Sequence, residues 1–183
     1  HIDFTVEVKR SLRVLDGAVV VFDGVAGVEP QSETNWHYAD AYKVPRLCFI
    51  NKLDRIGANF EKSFASIRDR LSEKAVIIQL PIGLEGDFRG VIDLLSETAF
   101  AFEGEHGEQI KQIEIPEDLK DLVKTCRKEL VEMIAETDEK LIELYLDGKT
   151  IPIPDLKIAL RKATIKNELI PVLCGSALKN KGV

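Results

Sequence analysis

Two short polar segments, each placed after an apolar run, carry side chains that could read the edge of a purine base. The first is Asn-Lys-Leu-Asp at residues 51–54, and the second is Ser-Ala-Leu at residues 176–178. Guanine presents two adjacent hydrogen-bond donors, its ring N–H and its exocyclic amine, and a single carboxylate such as that of Asp54 can accept both. Adenine has the opposite polarity at this edge, so a buried carboxylate facing it would lose its partners at a cost of about 1–3 kcal/mol. The two segments together therefore predict a guanine-binding pocket.

The other residues of the two segments suit the same ligand. Lys52 can lay its methylene stem along the plane of the base, and a backbone N–H near Ala177 can donate to the guanine carbonyl oxygen. Asn51 would tie the two loops together. Both segments follow predicted buried strands, and ligands bind outside the carboxyl ends of such strands in open α/β sheets. The candidate guanine-binding residues are Asn51, Lys52, Asp54, Ser176, Ala177 and Leu178.

A purely structural role is the alternative for each segment. Asp and Ser are favoured helix N-cap residues, and helices are expected to start near Asn59 and near Asn180. Asp54 could cap the first of these helices and Ser176 the second. Either segment alone is equally compatible with both interpretations, whereas the occurrence of the pair favours the guanine pocket.

Five segments, spread over essentially the whole chain, match a known family. They lie at residues 1–5, 27–34, 51–55, 79–83 and 175–183. In these segments the chain resembles elongation factor G, a family of translational GTPases that drive the movement of tRNA and mRNA through the ribosome. The strings at 79–83 and 175–183 are not generic nucleotide-binding features, so the resemblance is specific beyond the GTPase superfamily. It implies GTP and GDP as ligands and, in the intact protein, Mg²⁺ held by residues outside this chain.

Hydrolysis of GTP requires a phosphate-binding loop of the form Gly-x-x-x-x-Gly-Lys-Ser/Thr, and the 183 residues contain no such pattern. The resemblance implies that the chain starts directly after the family's Asp-x-Pro-Gly segment and is a portion of the domain without the phosphate loop and switch I. We therefore expect an active GTPase only in the intact protein and no hydrolysis by the 183 residues alone. By the same resemblance His1 would be the catalytic residue that orients the attacking water. The alternative for His1 is a tag remnant or a disordered chain end.

The elements that must position these residues alternate between strands and helices. Strands are predicted at residues 17–23, 46–50 and 169–174, and helices at 4–15, 32–43 and 60–71. This alternation is typical of an α/β domain with a parallel sheet. The first strand is a continuous β-branched run, as expected for a strand covered on both faces.

The stretch between the two halves of the pocket has a different character. Short β-rich runs favour a small antiparallel or mixed sheet, and helical patterns follow; the runs lie at 75–80, 90–94, 98–102 and 109–115, and the helices at 116–136, 138–146 and 155–166. Such a stretch is too long for an ordinary loop. The predicted fold is therefore α/β, an incomplete P-loop-type GTPase domain (1–71 and 167–183) with an inserted α+β subdomain (72–166), whose last helix packs back on the core.

Acidic side chains are concentrated in one part of the chain. Residues 103–147 carry fourteen acidic and six basic side chains, a balance of −8, whereas the whole chain has a net charge of −6. A strongly negative surface is repelled by nucleic-acid phosphates and suits a basic protein partner. The alternative is a solvated helical face. In the resembled family the corresponding subdomain meets the basic-faced ribosomal stalk protein.

Composition excludes several classes of protein. With 45% hydrophobic and 31% charged residues, the chain can form a core and a solvated surface, and no apolar run is long enough to cross a bilayer. The three cysteines are scattered, which favours reduced thiols over disulfides or a metal site. We expect a cytoplasmic bacterial protein, with an organelle matrix as the alternative, and a monomer, because nothing in the apolar pattern demands a partner subunit.

Three hypotheses for the function remain. The leading one is a part of elongation factor G that supplies the guanine-recognition site to a GTPase acting on the ribosome in tRNA–mRNA translocation. The second is another ribosome-binding GTPase, of the release-factor or tetracycline-protection type. The third is a non-catalytic module whose acidic insert binds a protein partner.

Overall fold

The computed structural model describes residues 5–104 and 106–183. Four strands form a parallel sheet in the spatial order β1-β2-β8-β3. They are β1 (Ala18–Asp23), β2 (Arg46–Asn51), β3 (Ala75–Ile77) and β8 (Ile170–Cys174). Because β8 pairs directly with β2, two strands that are far apart in sequence deliver their following loops to the same edge of the sheet.

Helices α1 (Thr5–Leu12), α2 (Pro30–Ala41) and α3 (Phe60–Arg70) connect or flank these strands. Helix α2 begins with Pro30, whose fixed φ suits the first helical turn, and the preceding Glu29 is extended. Helix α3 begins after Asn59, whose side chain accepts a hydrogen bond from the Lys62 N–H at 2.8 Å. The apolar face of α3 is buried against the sheet, which fixes the helix and the loop before it.

A second, antiparallel sheet has the order β4-β5-β6-β7. Its strands are β4 (Gln79–Ile82), β5 (Gly90–Asp93), β6 (Thr98–Glu103) and β7 (Gln109–Ile113). Gly90 starts β5 where the backbone of β6 is very close, since a Cβ atom there would lie 2.2 Å from the Phe100 carbonyl oxygen. Three helices follow, α4 (Lys120–Ala135), α5 (Glu139–Leu146) and α6 (Ile153–Ile165).

The predicted fold class is confirmed: a parallel sheet flanked by helices accompanies a separate antiparallel sheet. The two sheets share one apolar core, because a single cluster of buried side chains includes Ile50 of β2, Ile92 of β5 and Leu130 of α4. Helix α6 contacts both β2 and α4. Its predicted apolar residues are buried; they are Leu156, Ala159, Leu160 and Ala163.

The prediction that residues 75–80 belong entirely to the smaller sheet is wrong. Ala75–Ile77 pairs in parallel with β8 and is an edge strand of the parallel sheet. The chain then bends at Ile78, whose N–H donates to Val172 of the parallel sheet while its carbonyl accepts from Leu94 next to the antiparallel sheet. One apolar run therefore serves two sheets in succession.

The prediction that the first strand is covered on both faces is also wrong. Strand β1 is an edge strand of the sheet formed by the described residues, and Val19 and Val21 are 60% and 57% exposed. Phe22, on the other face, is 2% exposed. A run of β-branched residues indicates a strand, but it does not predict whether the strand lies at the edge of the sheet or whether one of its faces is exposed.

Several helix limits differ from the predicted ones. Helix α1 ends at Leu12 rather than at residue 15, and α2 starts at Pro30 rather than at residue 32. Helix α6 starts at Ile153 because Pro154 is accommodated in its first turn. In the part of the chain that the structure describes, no helix is both long and apolar enough to cross a membrane.

Candidate guanine-binding site

The two predicted segments meet at one edge of the parallel sheet. Asn51 ends β2, and Gly175 follows directly after β8. The Gly175 N–H donates to the Ile50 carbonyl at 2.9 Å, and the Leu53 N–H donates to the Gly175 carbonyl at 3.2 Å. These two hydrogen bonds hold the loop at 51–57 against the loop at 175–181.

Asn51 links the two loops through its side chain. Its Oδ1 accepts hydrogen bonds from the N–H of Lys52 at 2.8 Å and from the N–H of Ala177 at 2.9 Å. The predicted tie between the loops is therefore present. A carboxamide oxygen has two lone pairs, and both are used here, so Asn51 fixes the backbone of each segment relative to the other.

The backbone donor predicted near Ala177 can be identified from which N–H groups of this loop already have a partner. The Ala177 N–H is taken by Asn51, and the Lys179 N–H donates to the Ser176 hydroxyl at 3.3 Å. Among the described residues the Leu178 N–H has no partner, and the Leu178 side chain is 85% exposed. The N–H that is available to a ligand is therefore that of Leu178.

Ser176 is fully buried and supports the second loop from within. Its backbone exchanges two hydrogen bonds with Lys181, at 2.8 and 3.0 Å. Its hydroxyl caps a turn rather than the helix that was expected from near Asn180, because residues 177–180 form a turn. The alternative that Ser176 caps a helix is therefore wrong, although its hydroxyl accepts a hydrogen bond from the turn.

Asp54 is not a helix cap, because Asn59 fills that position for α3. Its side chain is half-buried. Within residues 5–104 and 106–183 its carboxylate makes no hydrogen bond or ion pair with another group. The structure therefore leaves the acceptor capacity of this carboxylate open, as recognition of two donors on a base requires.

Lys52 has a positive φ of 64°, and its ammonium lies 2.7 Å from a carboxylate oxygen of Asp23. Arg55 approaches the same oxygen at 3.5 Å. The hydrogen bond from Lys52 is the largest cause that lowers the pKa of Asp23; partial burial raises it, and the N–H groups of Val25 and Ala26 lower it further. Asp23 therefore remains a carboxylate that anchors the Lys52 ammonium.

Asp23 and Glu85 are two residues of this region that the sequence prediction missed. The sequence signal for Asp23 is its place at the carboxyl end of a predicted strand, whereas its pairing in register with Asn51 depends on strand order. Glu85 belongs to the turn after β4. Its N–H donates to the Leu53 carbonyl at 2.7 Å, and its carboxylate accepts from the Gly57 N–H at 2.8 Å. No local sequence signal indicates that contact.

His1 lies outside the described residues, so its predicted role stays a prediction. In the ranges that the structure describes, no group of three or more His, Cys, Asp or Glu side chains is arranged to hold a metal ion. What the described residues bring together is the Asp54 carboxylate, the available Leu178 N–H and the Asn51 side chain that links their two loops.

Comparison with known proteins gives a consistent result. The family model of the elongation factor Tu GTP-binding domain matches residues 1–183. Elongation factor G 1 of Bdellovibrio bacteriovorus is 52% identical over 184 aligned residues, which cover 100% of this chain and 26% of that protein. A crystal structure of a Thermus thermophilus protein, ttk003000868, aligns with a TM-score of 0.87 at 29% identity, over 100% of this chain and 27% of the other. The chain thus spans about a quarter of the length of the curated relative.

Proposed function

The chain belongs to the family of the elongation factor Tu GTP-binding domain, and from this premise we propose that it supplies the guanine-recognition site of a GTPase of the elongation factor G type. The observation that carries the proposal is the double hydrogen bond of Asn51, which joins the loop of Asp54 to the loop of Leu178. This link brings an open carboxylate and an available N–H to one edge of the sheet. Those two groups match the donors and the acceptor of guanine.

In this proposal each residue has a separate task. Asp54 accepts from the ring N–H and the exocyclic amine, and the Leu178 N–H donates to the carbonyl oxygen. Lys52 covers one face of the base while Asp23 holds its ammonium. Ser176 and Ala177 shape the second loop, and Asn51 joins the two loops.

The proposed activity of the intact protein is hydrolysis of GTP on the ribosome coupled to tRNA–mRNA translocation. The 52% identity with Elongation factor G 1 supports this assignment over a release-factor or tetracycline-protection type. His1 would orient the attacking water, and Mg²⁺ would be held by groups outside these residues. The chain alone is proposed to be inactive, because its sequence contains no phosphate-binding loop.

We also propose that the acidic inserted subdomain binds a basic partner, the ribosomal stalk protein in the resembled family, through helices α4 and α5 and the residues that directly follow them. Their exposed carboxylates give a negative surface that would attract a cationic protein; they are Asp121, Glu132, Glu136, Glu139, Glu143 and Asp147.

The proposed division into a GTPase portion (1–71 and 167–183) and an insert (72–166) is adjusted at one point. Strand β3 lies in the parallel sheet and goes with the GTPase portion. A monomer in the bacterial cytoplasm completes the proposal.

Replacing Asp54 by Asn tests base recognition. Asn offers one acceptor and one donor in place of two acceptors, so the preference should move from guanine towards xanthine, which has a carbonyl where guanine has the amine. We would titrate the ¹⁵N-labelled chain with millimolar GDP and XDP and follow the amide signals of residues 51–57 and 175–181. High concentrations are needed because only the base-side contacts of the site are present.

The matched control is Asp69→Asn, which changes an exposed carboxylate on α3. It should bind GDP in preference to XDP, as the unsubstituted chain does. An unchanged preference for GDP in the Asp54 variant would show that this carboxylate does not read the base.

A further inference from the structure

The turn at residues 85–88, which follows β4, touches both halves of the candidate guanine site. Glu85 holds the first half through two hydrogen bonds, from its own N–H to the Leu53 carbonyl and from the Gly57 N–H to its carboxylate. The Lys181 ammonium of the second half donates to the Phe88 carbonyl at 3.0 Å. The antiparallel sheet is thus connected to both loops that would surround the base.

The two contacts of Glu85 lie on either side of Asp54. One is made to the residue before it and the other to a glycine three positions after it, so the peptide that carries the Asp54 carboxylate is held at both ends. Leu53 is fully buried beneath the loop. With its ends fixed and one side chain buried, the loop has little freedom to turn the carboxylate away.

The backbone at Glu85 is shaped for this contact. Its φ is 56°, a left-handed value that is uncommon for a residue other than glycine. Nearby, Gly83 has a φ of 74°, and a Cβ atom there would lie 2.2 Å from the Asp87 carbonyl oxygen. The tight turn directs both the N–H and the side chain of Glu85 towards the same loop, which an ordinary extended connection would not do.

A second contact joins the antiparallel sheet to the other loop. Gly107, in the turn between β6 and β7, packs so closely that a Cβ atom would lie 2.7 Å from the Lys179 carbonyl oxygen. The second loop is therefore supported by backbone packing as well as by the Lys181 hydrogen bond. In the first loop, by contrast, the Gly57 N–H is held by the side chain of Glu85.

We infer that Glu85 is a positioning residue for guanine recognition, one that holds the 53–57 loop so that the Asp54 carboxylate meets both donors of the base. The inference rests on the proposed guanine-binding function. Glu85 touches no nucleotide itself and acts through the Leu53 carbonyl and the Gly57 N–H. Its effect should appear as selectivity, because a displaced carboxylate can keep one of the two donors of guanine but not both.

Hydrogen exchange measures loop position without any ligand. In the 183-residue chain, Glu85→Ala removes the acceptor of the Gly57 N–H, and the exchange of that amide should become about fivefold to tenfold faster, the effect of losing one hydrogen bond. Glu85→Gln keeps an acceptor oxygen and should stay near the original rate. Glu73→Ala, at an exposed position next to β3, should leave this amide unchanged. Equal rates in the Ala and Gln variants and the original chain would overturn the positioning role.

Nucleotide selectivity then separates positioning from simple destabilisation. GDP and IDP differ only in the exocyclic amine, so the ratio of their dissociation constants reports the second contact of Asp54. We expect Glu85→Ala to weaken GDP binding about fivefold while IDP binding is unchanged, and Glu85→Gln to restore the ratio. A merely structural role would weaken both nucleotides equally.

The possible outcomes distinguish the two proposals. If the unsubstituted chain shows no preference for GDP over IDP, the proposed function fails, and the guanine role of Glu85 fails with it, while hydrogen exchange still decides whether Glu85 holds the loop. If the original chain prefers GDP and Glu85→Ala keeps the same ratio, the inference alone is overturned. Thermal unfolding of each variant shows whether it is folded at the measurement temperature.

Discussion

The pair formed by Asp23 and Lys52 shows how one residue can place another. Oδ1 of Asp23 accepts from the N–H groups of Val25 and Ala26, while Oδ2 lies 2.7 Å from the Lys52 ammonium. One oxygen thus fixes the loop after β1, and the other fixes the lysine. The position of the Lys52 stem therefore depends on the charge of a carboxylate at the end of the neighbouring strand.

This pair should make stability depend on acid pH. The pKa of Asp23 is lowered in the folded protein from its ordinary value of 3.8, chiefly by the hydrogen bond from Lys52. A lowered pKa gives stability that is present above about pH 4 and is lost as the pH falls through the folded value. Asp23→Asn keeps the acceptor for Val25 but cannot ionise, so its deficit in unfolding free energy should shrink as the pH drops below about 4. Urea unfolding at a series of pH values from mildly to strongly acidic measures the deficit.

A second variant identifies the cause. In Lys52→Met the carboxyl ¹³C signal of Asp23 should titrate at a higher pH than in the original chain. If the titration does not move, the Lys52 ammonium is not what lowers the pKa of Asp23.

At the residue scale, sequence reasoning identified groups within the two motifs but not those supplied by other elements. Asn51 was predicted to join the loops, and its hydrogen bonds do so. Asp23 was missed because it lies at the site only when β1 pairs with β2. Glu85 was missed because a turn with a positive φ brings it to the loop. Strand order depends on long-range pairing, and a single sequence does not give it directly.

At the scale of elements, β1 is an edge strand whose two faces contribute unequally. Phe22 is 2% exposed whereas Val21 is 57% exposed. The same strand therefore has one side chain that is buried in the core, Phe22, and a neighbouring one that is exposed to solvent, Val21. Only the buried side chain creates a cavity when it is shortened.

Alanine substitutions should separate the two faces. Phe22→Ala is expected to lower the free energy of unfolding by about 3–5 kcal/mol, the cost of removing a buried aromatic ring. Val21→Ala should lower it by less than about 1 kcal/mol, because an exposed strand position contributes mainly its β propensity. Urea denaturation of both variants provides the comparison. Similar losses would mean that Val21 is covered in solution.

Element existence was predictable from periodicity, while sheet membership was not. Residues 60–71 have apolar side chains at helical spacing, and α3 occupies Phe60–Arg70. In contrast, the single run at 75–80 gave no sign that its first half pairs with β8 and its second half with β5. Alternation within a strand reports burial of its faces and carries little information about which partner lies beside it.

At the scale of the whole molecule, the two sheets share one cluster of buried side chains, although one sheet interrupts the sequence of the other. The buried cluster runs from Phe22 and Trp36 through Ile50 to Leu130 and Leu141. Trp36 is the only tryptophan of the chain, and Arg46 stacks over its ring at 4.5 Å. Its fluorescence therefore reports the surroundings of α2 and β2, even when a substitution is made in α4.

Leu130→Ala tests whether the molecule unfolds as one unit. Leu130 of α4 is fully buried, and its truncation should lower the free energy of unfolding by about 2–5 kcal/mol. Because the core is continuous, this loss should appear equally in Trp36 fluorescence and in far-UV circular dichroism. Leu146→Ala, at a position that is 77% exposed, should shift neither transition measurably. The opposite outcome would be an unchanged Trp36 transition together with a separate, earlier unfolding transition in the circular dichroism. In that case the insert would unfold independently. Glu85 could then hold the guanine loop only while the insert stayed folded.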